Sequence, residues 1–221
     1  MTAASSSGPS WQGQQERPTS VLLLRHGQTA LSVQRRYSGH GDPELTALGR
    51  SQAAAAARRL AATGGVDAIV SSPLQRAVVT AEAAGEALGL PVRVLPGLIE
   101  TDFGAWEGLT FREAAERDPR LHRDWLGDPS LAPPGGESFA QVAQRMTQVR
   151  AELVAEYAGQ RVLAVSHVTP IKTLLQQALD VGPQLLFRLH LDLASFSAAD
   201  YYPDGGTVVR RVNDTGHLET L

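Results

Sequence analysis

Residues 21–29 read VLLLRHGQT. Four apolar residues, Val21 to Leu24, stop at a polar turn that opens with Arg25, His26 and Gly27. A short apolar run of this kind predicts a strand buried on both faces, as in a parallel sheet. Its carboxyl end then carries a cation, an imidazole and a glycine in direct succession.

Outward from this strand the pattern alternates. Thr46 to about Ala62 has Leu, Ala and Arg at helical spacing and stops at Gly64-Gly65. AIV (68–70) is a second strand, and Ser72-Pro73 supplies a cap and a first-turn proline for a helix running to about Leu88. Val92 to Leu95 is a third strand. Residues 96–136 hold five prolines and two tryptophans and break the rhythm, which predicts a cap-like insertion over one end of the sheet. Glu137 to about Tyr157 reads as a long helix, RVLAVS (161–166) as a strand, and Thr169-Pro170 as the start of a helix to about Leu179. Ser195–Tyr202 and Thr207–Asn213 flank the turn Pro203-Asp204-Gly205-Gly206 and read as two further strands. The expectation is a three-layer α/β/α domain over residues 20–221, its sheet largely parallel and its helices on both faces.

Composition narrows the chemistry. The 221 residues are 43% hydrophobic with a net charge of −3, enough for one core and without the basic field that draws nucleic acid or an anionic membrane. No cysteine is present, which excludes disulfides, thiolate nucleophiles and cysteine-ligated zinc. No apolar run approaches the roughly 18 residues of a membrane span. The first 19 residues, rich in Ser, Gly, Gln and Pro, read as a tail or linker and not a signal peptide, so the expected compartment is the cytoplasm.

Ligands of open α/β sheets gather at the carboxyl ends of the strands. Three such ends carry Arg25-His26, Ser71-Ser72-Pro73 followed by Arg76, and Ser166-His167. Two arginines and two histidines would meet in one crevice. Arginine offers a planar fork of donors for phosphate oxygens, helix starts near Pro73 and Thr169 add N–H groups, and a neutral imidazole among them can attack phosphorus. Gly27 is expected to bring the backbone close to the phosphate.

At these residues the chain resembles the histidine phosphatase, or phosphoglycerate mutase-like, superfamily. The signature LLLRHGQT is followed in order by LTALGRSQA (45–53), SSPLQRAVVTA (71–81), ETDFGAWEG (100–108), PPGGESF (133–139) and SHVTPIK (166–172), and the likeness covers about nine-tenths of the chain. Within the family it is most similar to α-ribazole phosphatase-like proteins and to the acid phosphatase half of actinobacterial proteins that also carry a ribonuclease H domain. The resemblance implies that His26 is phosphorylated, that Arg25, Arg76 and His167 bind the phosphate, and that Glu100 protonates the leaving oxygen. It also implies that Gln28, Thr29, Ser38, Gly39 and Val168 line the substrate pocket, with Ser32 where many relatives have a phosphate-binding asparagine.

The expected function is hydrolysis of small phosphomonoesters, α-ribazole phosphate among them, with a phosphoglycerate mutase-type transferase or a silent phospholigand-binding module as alternatives. The segment after Glu100, Thr101-Asp102-Phe103-Gly104, is short and acidic where a mutase has a basic stretch, which favours the phosphatase. No metal-ligand motif is visible and no cofactor is inferred. The partner is a small phosphomonoester, without nucleic acid or membrane, and a homodimer stays open. Glu107 reads as structural, Trp106 and Trp125 as packing residues, and His122, His190 and His217 as structural or solvated. Arg35-Arg36, Arg58-Arg59 and Arg210-Arg211 read most simply as solvated faces.

Overall fold

The computed structural model describes residues 16–219. The run at 21–24 lies within strand β1 (Thr19–Arg25), one of the two central strands of the sheet, and every residue from Val21 to Leu24 is buried. Successive side chains of a strand point to opposite faces. Val21 and Leu23 accordingly enter one apolar cluster, and Leu22 and Leu24 enter another.

The remaining strands are β2 (Ala68–Ser71), β3 (Val92–Val94), β4 (Arg161–Ser166), β5 (Phe196–Tyr201) and β6 (Thr207–Asp214). They form one sheet in the order β3-β2-β4-β1-β5-β6. The first four are mutually parallel, and β5 and β6 add an antiparallel pair. The largely parallel sheet is as expected, and the hairpin at its end explains why the last two strands could be joined by a tight turn.

Helices cover both faces. After the four-residue α1 (Ala30–Val33), α2 (Ala47–Thr63) and α3 (Gln75–Leu88) pack on the Leu22/Leu24 face through Ala56, Leu60, Ala77 and Ala81. The sequence between β3 and β4 forms two short 3-10 turns, α4 (Phe111–Arg117), α5 (Pro119–Trp125) and α6 (Phe139–Glu156). Helices α6 and α7 (Val168–Leu179) cover the Val21/Leu23 face through Val142, Met146, Ile171 and Leu174, and α8 (Leu185–Arg188) follows. Residues of the 96–136 stretch build a third cluster in which Phe103, Trp106 and Trp125 meet Phe139. Trp106 is fully buried and donates its indole N–H to Asp118 at 2.8 Å, so both tryptophans do pack.

Two helix starts differ from expectation. Helix α3 begins at Gln75, two residues beyond Pro73, and its first free N–H is capped from a distance: Gln75 N donates to the Asp42 carboxylate at 2.8 and 3.0 Å. Helix α7 begins at Val168 with His167 as its N-cap, one residue before Thr169. Both shifts free side chains that a local cap would have consumed. Among the described residues, no helix is long and apolar enough to cross a membrane.

Candidate active site

His26 follows β1 directly and is fixed by its neighbours' backbones. Its N–H donates to Ser166 O at 3.0 Å and its carbonyl accepts from Ala194 N at 3.1 Å. The ring's Nδ1 lies 2.7 Å from the Gly27 carbonyl oxygen. A carbonyl can only accept, so Nδ1 carries the proton and Nε2 keeps its lone pair. Burial, reinforced by Arg25 and Arg76, holds the imidazole well below its ordinary pKa and therefore neutral. The ring is thus held neutral, with its Nε2 lone pair available.

Gly27 is constrained by packing against a neighbouring backbone. A Cβ there would collide with the Gly49 carbonyl, and a Cβ on Gly49 would collide with Gln28 O. The loop after β1 is thus pressed against the first turn of α2, which explains the glycine of LTALG.

Three buried side-chain nitrogens around this ring lack partners. Arg25 Nη1 donates to Leu191 O at 2.6 Å, but its Nε has no acceptor. Arg76, fully buried, spends Nη1 on Gly41 O at 2.7 Å and Nη2 on Gly39 O at 2.8 Å and Ser38 O at 3.1 Å, again leaving Nε unpaired. His167 Nε2 meets Ser72 Oγ at 2.7 Å, and its Nδ1 is unpaired. The two imidazoles lie 5.0 Å apart, centre to centre. A buried donor without an acceptor costs about 1–3 kcal/mol. Two guanidinium donors and the unpaired His167 nitrogen around His26 make a cradle that can receive an anion with several oxygens. Burial lowers Arg25 to about 10, which leaves it charged at neutral pH, and lowers His167 well below its ordinary value, with His26 and the arginines acting in the same direction.

The cradle is braced from outside. Glu107 accepts Gly39 N at 2.8 Å and Gly41 N at 3.2 Å, holding the loop whose carbonyls hold Arg76. The structural role expected of Glu107 is what its contacts provide.

Glu100 lines the same cleft as Arg25 and His26 and is 5% exposed. Its Oε1 accepts from Thr101 N at 2.8 Å and from Thr169 N at 3.2 Å, while Oε2 has only a 3.5 Å contact to Thr169 N. The segment leading to it is pinned by Ser166 Oγ donating to Leu98 O at 2.7 Å and Arg145 Nη1 donating to Ile99 O at 2.8 Å. His40 Nε2 lies 3.1 Å from the Glu100 carbonyl, so this ring touches the backbone of the carboxylate residue.

Arg25, His26 and Glu100 open onto a cleft of about 190 Å³, whereas Arg76 and His167 are fully buried and do not line it. Arg25, His26, Thr29, Ser32, Ser38, Glu100 and Val168 line it, as the sequence motifs anticipated. Gln28 does not join that wall, because its Oε1 accepts from Thr46 at 2.9 Å. Gly39 faces Glu107 and Arg76 instead. Ser32 lines the cleft, but its hydroxyl is engaged in the cap of α1, donating to Thr29 O at 2.7 Å.

Arg36, Tyr37, Phe103 and Thr169 also line the cleft, and sequence reasoning did not place them there. Arg36 is no solvated arginine: its Nη1 donates to Gly108 O at 2.8 Å and Glu113 at 2.9 Å. Arg59, likewise expected in solvent, grips Asp214 with both Nη groups at 2.9 and 2.6 Å. The Tyr37 and Phe103 rings pack at a tilt with centres 4.7 Å apart, and the Tyr37 hydroxyl meets His122 Nε2 at 3.1 Å. The available signal was position, since Arg36 and Tyr37 immediately precede Ser38-Gly39.

Comparison with known proteins agrees with this geometry. The profile of the histidine phosphatase superfamily (branch 1) matches residues 21–215. A bifunctional protein of Mycobacterium tuberculosis is 59% identical over 214 residues, which is 97% of this chain but 59% of that protein. The chain therefore spans about three-fifths of that relative's length. Phosphoserine phosphatase 1 of Hydrogenobacter thermophilus is 32% identical over 90% of this chain and 93% of its own. Mycobacterial glucosyl-3-phosphoglycerate phosphatase, solved in complex with VO3, superposes with a TM-score of 0.81 at 35% identity, over 89% of this chain and 100% of that one. The chain belongs to branch 1 of the histidine phosphatase superfamily.

Proposed function

We propose that the chain is a phosphomonoesterase that hydrolyses small phosphorylated metabolites through transient phosphorylation of His26. The observation that carries this is the neutral ring with Nδ1 tied to Gly27 O, its Nε2 free beside three unpaired buried nitrogens. Phosphate oxygens would take up Arg25 Nε, Arg76 Nε and His167 Nδ1, which neutralise the charge that builds as the ester bond breaks. Nε2 attacks phosphorus, the P–O bond to the alcohol breaks, and Glu100 gives the departing oxygen a proton from Oε2. Water then attacks phospho-His26 with Glu100 taking its proton, releasing inorganic phosphate and restoring the ring.

The cleft's volume suits a small ester. Two relatives named for small phosphorylated metabolites, a glucosyl phosphoglycerate and phosphoserine, support that class. The acidic Asp102 after Glu100, whose carboxylate caps Gly104 N at 2.8 Å, supports hydrolysis over mutase-type transfer. The cytoplasm is the proposed compartment, because a cysteine-free chain needs no oxidising surroundings.

A phosphate-release screen tests the proposal, using α-ribazole phosphate, glucosyl-3-phosphoglycerate, phosphoserine, phosphoglycerates and mononucleotides. One or more should be hydrolysed, at a rate that exhaustive chelation leaves unchanged, since arginines supply the positive charge. Conversion of 3- to 2-phosphoglycerate faster than phosphate release would favour the mutase. A strict metal requirement would contradict the arginine cradle.

A further inference from the structure

Ser72 was expected to cap helix α3, but that helix starts later and takes its cap from Asp42. The side chain is fully buried and has two recorded polar contacts: Leu74 N donates to its Oγ at 3.3 Å, and His167 Nε2 lies 2.7 Å from the same atom. Strand adjacency brings the pair together. β2 and β4 are parallel neighbours, Ser72 N donates to Val165 O at 2.9 Å, and the two residues follow those strands side by side.

A serine hydroxyl has one hydrogen and can accept as well. Here Leu74 N–H takes one of the two acceptor lone pairs, and among the described contacts His167 Nε2 is the one group that can receive the hydroxyl hydrogen. If the hydrogen points there, Nε2 must accept, and a neutral ring then carries its proton on Nδ1. Nδ1 is the buried atom without a partner beside His26. The opposite tautomer would strand the Ser72 hydrogen in the interior and turn a ring lone pair toward phosphate oxygens.

We propose that Ser72 is a positioning residue that locks His167 in its Nδ1–H tautomer, so that the ring presents a fixed hydrogen-bond donor to the phosphoryl group. The chain of contacts runs from Leu74 N–H through the Ser72 hydroxyl to His167 and on to the anion. The catalytic consequence rests on the proposed phosphate-binding role of His167, whereas the tautomer does not.

The test is nitrogen NMR of the full chain labelled at histidine, near neutral pH, with and without inorganic phosphate. Wild-type His167 should show a protonated Nδ1 and an unprotonated Nε2. Ser72→Ala should lose that single tautomer, weaken inorganic phosphate binding, and lower kcat/KM by about 10- to 100-fold, less than the roughly 10²–10³ in kcat that deletion of an oxyanion donor costs. Ser72→Thr, which keeps the hydroxyl, should recover most of the loss. A wild-type ring protonated at Nε2 alone would overturn the proposal even if no variant folds. So would a Ser72→Ala protein with the wild-type tautomer and rate. If the tautomer is as stated but His167→Ala binds phosphate normally, the placement of the ring against the anion is what fails.

Discussion

The backbone N–H of Gly27 donates to the Thr80 hydroxyl at 3.2 Å, and that hydroxyl donates in turn to the Arg76 carbonyl at 2.7 Å. One buried oxygen thus ties the loop after β1, which carries His26, to helix α3, which carries Arg76. Thr80→Val keeps the shape and removes both bonds, leaving a buried N–H unpaired. Urea unfolding should show a loss of about 1–3 kcal/mol, accompanied by a fall in kcat/KM, and Thr80→Ser should recover most of both. An unchanged midpoint and rate for Thr80→Val would show that packing alone sets the geometry.

Stability should depend on pH through the buried histidines. His26 and His167 are held below their ordinary pKa, chiefly by burial. Between the unfolded-state value near 6.5 and the lower folded-state values, the unfolded chain binds more protons than the native one. Stability therefore rises with pH across that window, is fully present above about 6.5, and is lost as the pH falls toward the folded-state values. His122 and His217, also lowered by burial, act with the same sign. Melting temperature should fall on acidification from about pH 7.5 to about pH 5, and His26→Gln should flatten part of that slope. In the same range kcat/KM should not collapse at 6.5, because the nucleophile stays unprotonated below it. A flat melting profile, or activity titrating at the free-histidine value, would contradict the buried neutral ring.

Glu100 separates the two chemical steps. An alkyl alcohol leaves as a strong base and needs a proton, worth on the order of 10²–10⁴ in rate. Nitrophenolate needs little help. Glu100→Gln should therefore form phosphoenzyme slowly from an alkyl phosphate and almost normally from p-nitrophenyl phosphate. Hydrolysis of phospho-His26 would then be slow, so stopped-flow traces should show a burst of nitrophenol followed by slow turnover. Equal slowing with both substrates and no burst would mean that Glu100 only positions the ester.

Much of this site was legible in the sequence because strand ends are. VLLL and RVLAVS announce buried strands, and the topology of a parallel sheet brings Arg25, His26 and His167 to one edge without further information. Contacts between distant loops were not legible. Asp42 caps Gln75 from 33 residues away, Glu107 holds Gly39 across 68, and Tyr37 meets His122 across 85. No periodicity records such pairs. Ser72 was misread for the same reason: a serine before a proline looks like a local cap, and only the neighbouring strand shows that its partner is His167. Arg36 and Arg59 looked like solvated arginines because their acceptors, Glu113 and Asp214, lie 77 and 155 residues away.

Trapping the phosphoenzyme tests the central claim most directly. Labelled p-nitrophenyl phosphate mixed with the protein and quenched within milliseconds should leave protein-bound phosphate that is stable in base and labile in acid, and peptide mapping should place it on His26. His26→Ala should carry no label and show no turnover. Full turnover by that variant, or label on any other residue, would contradict the account.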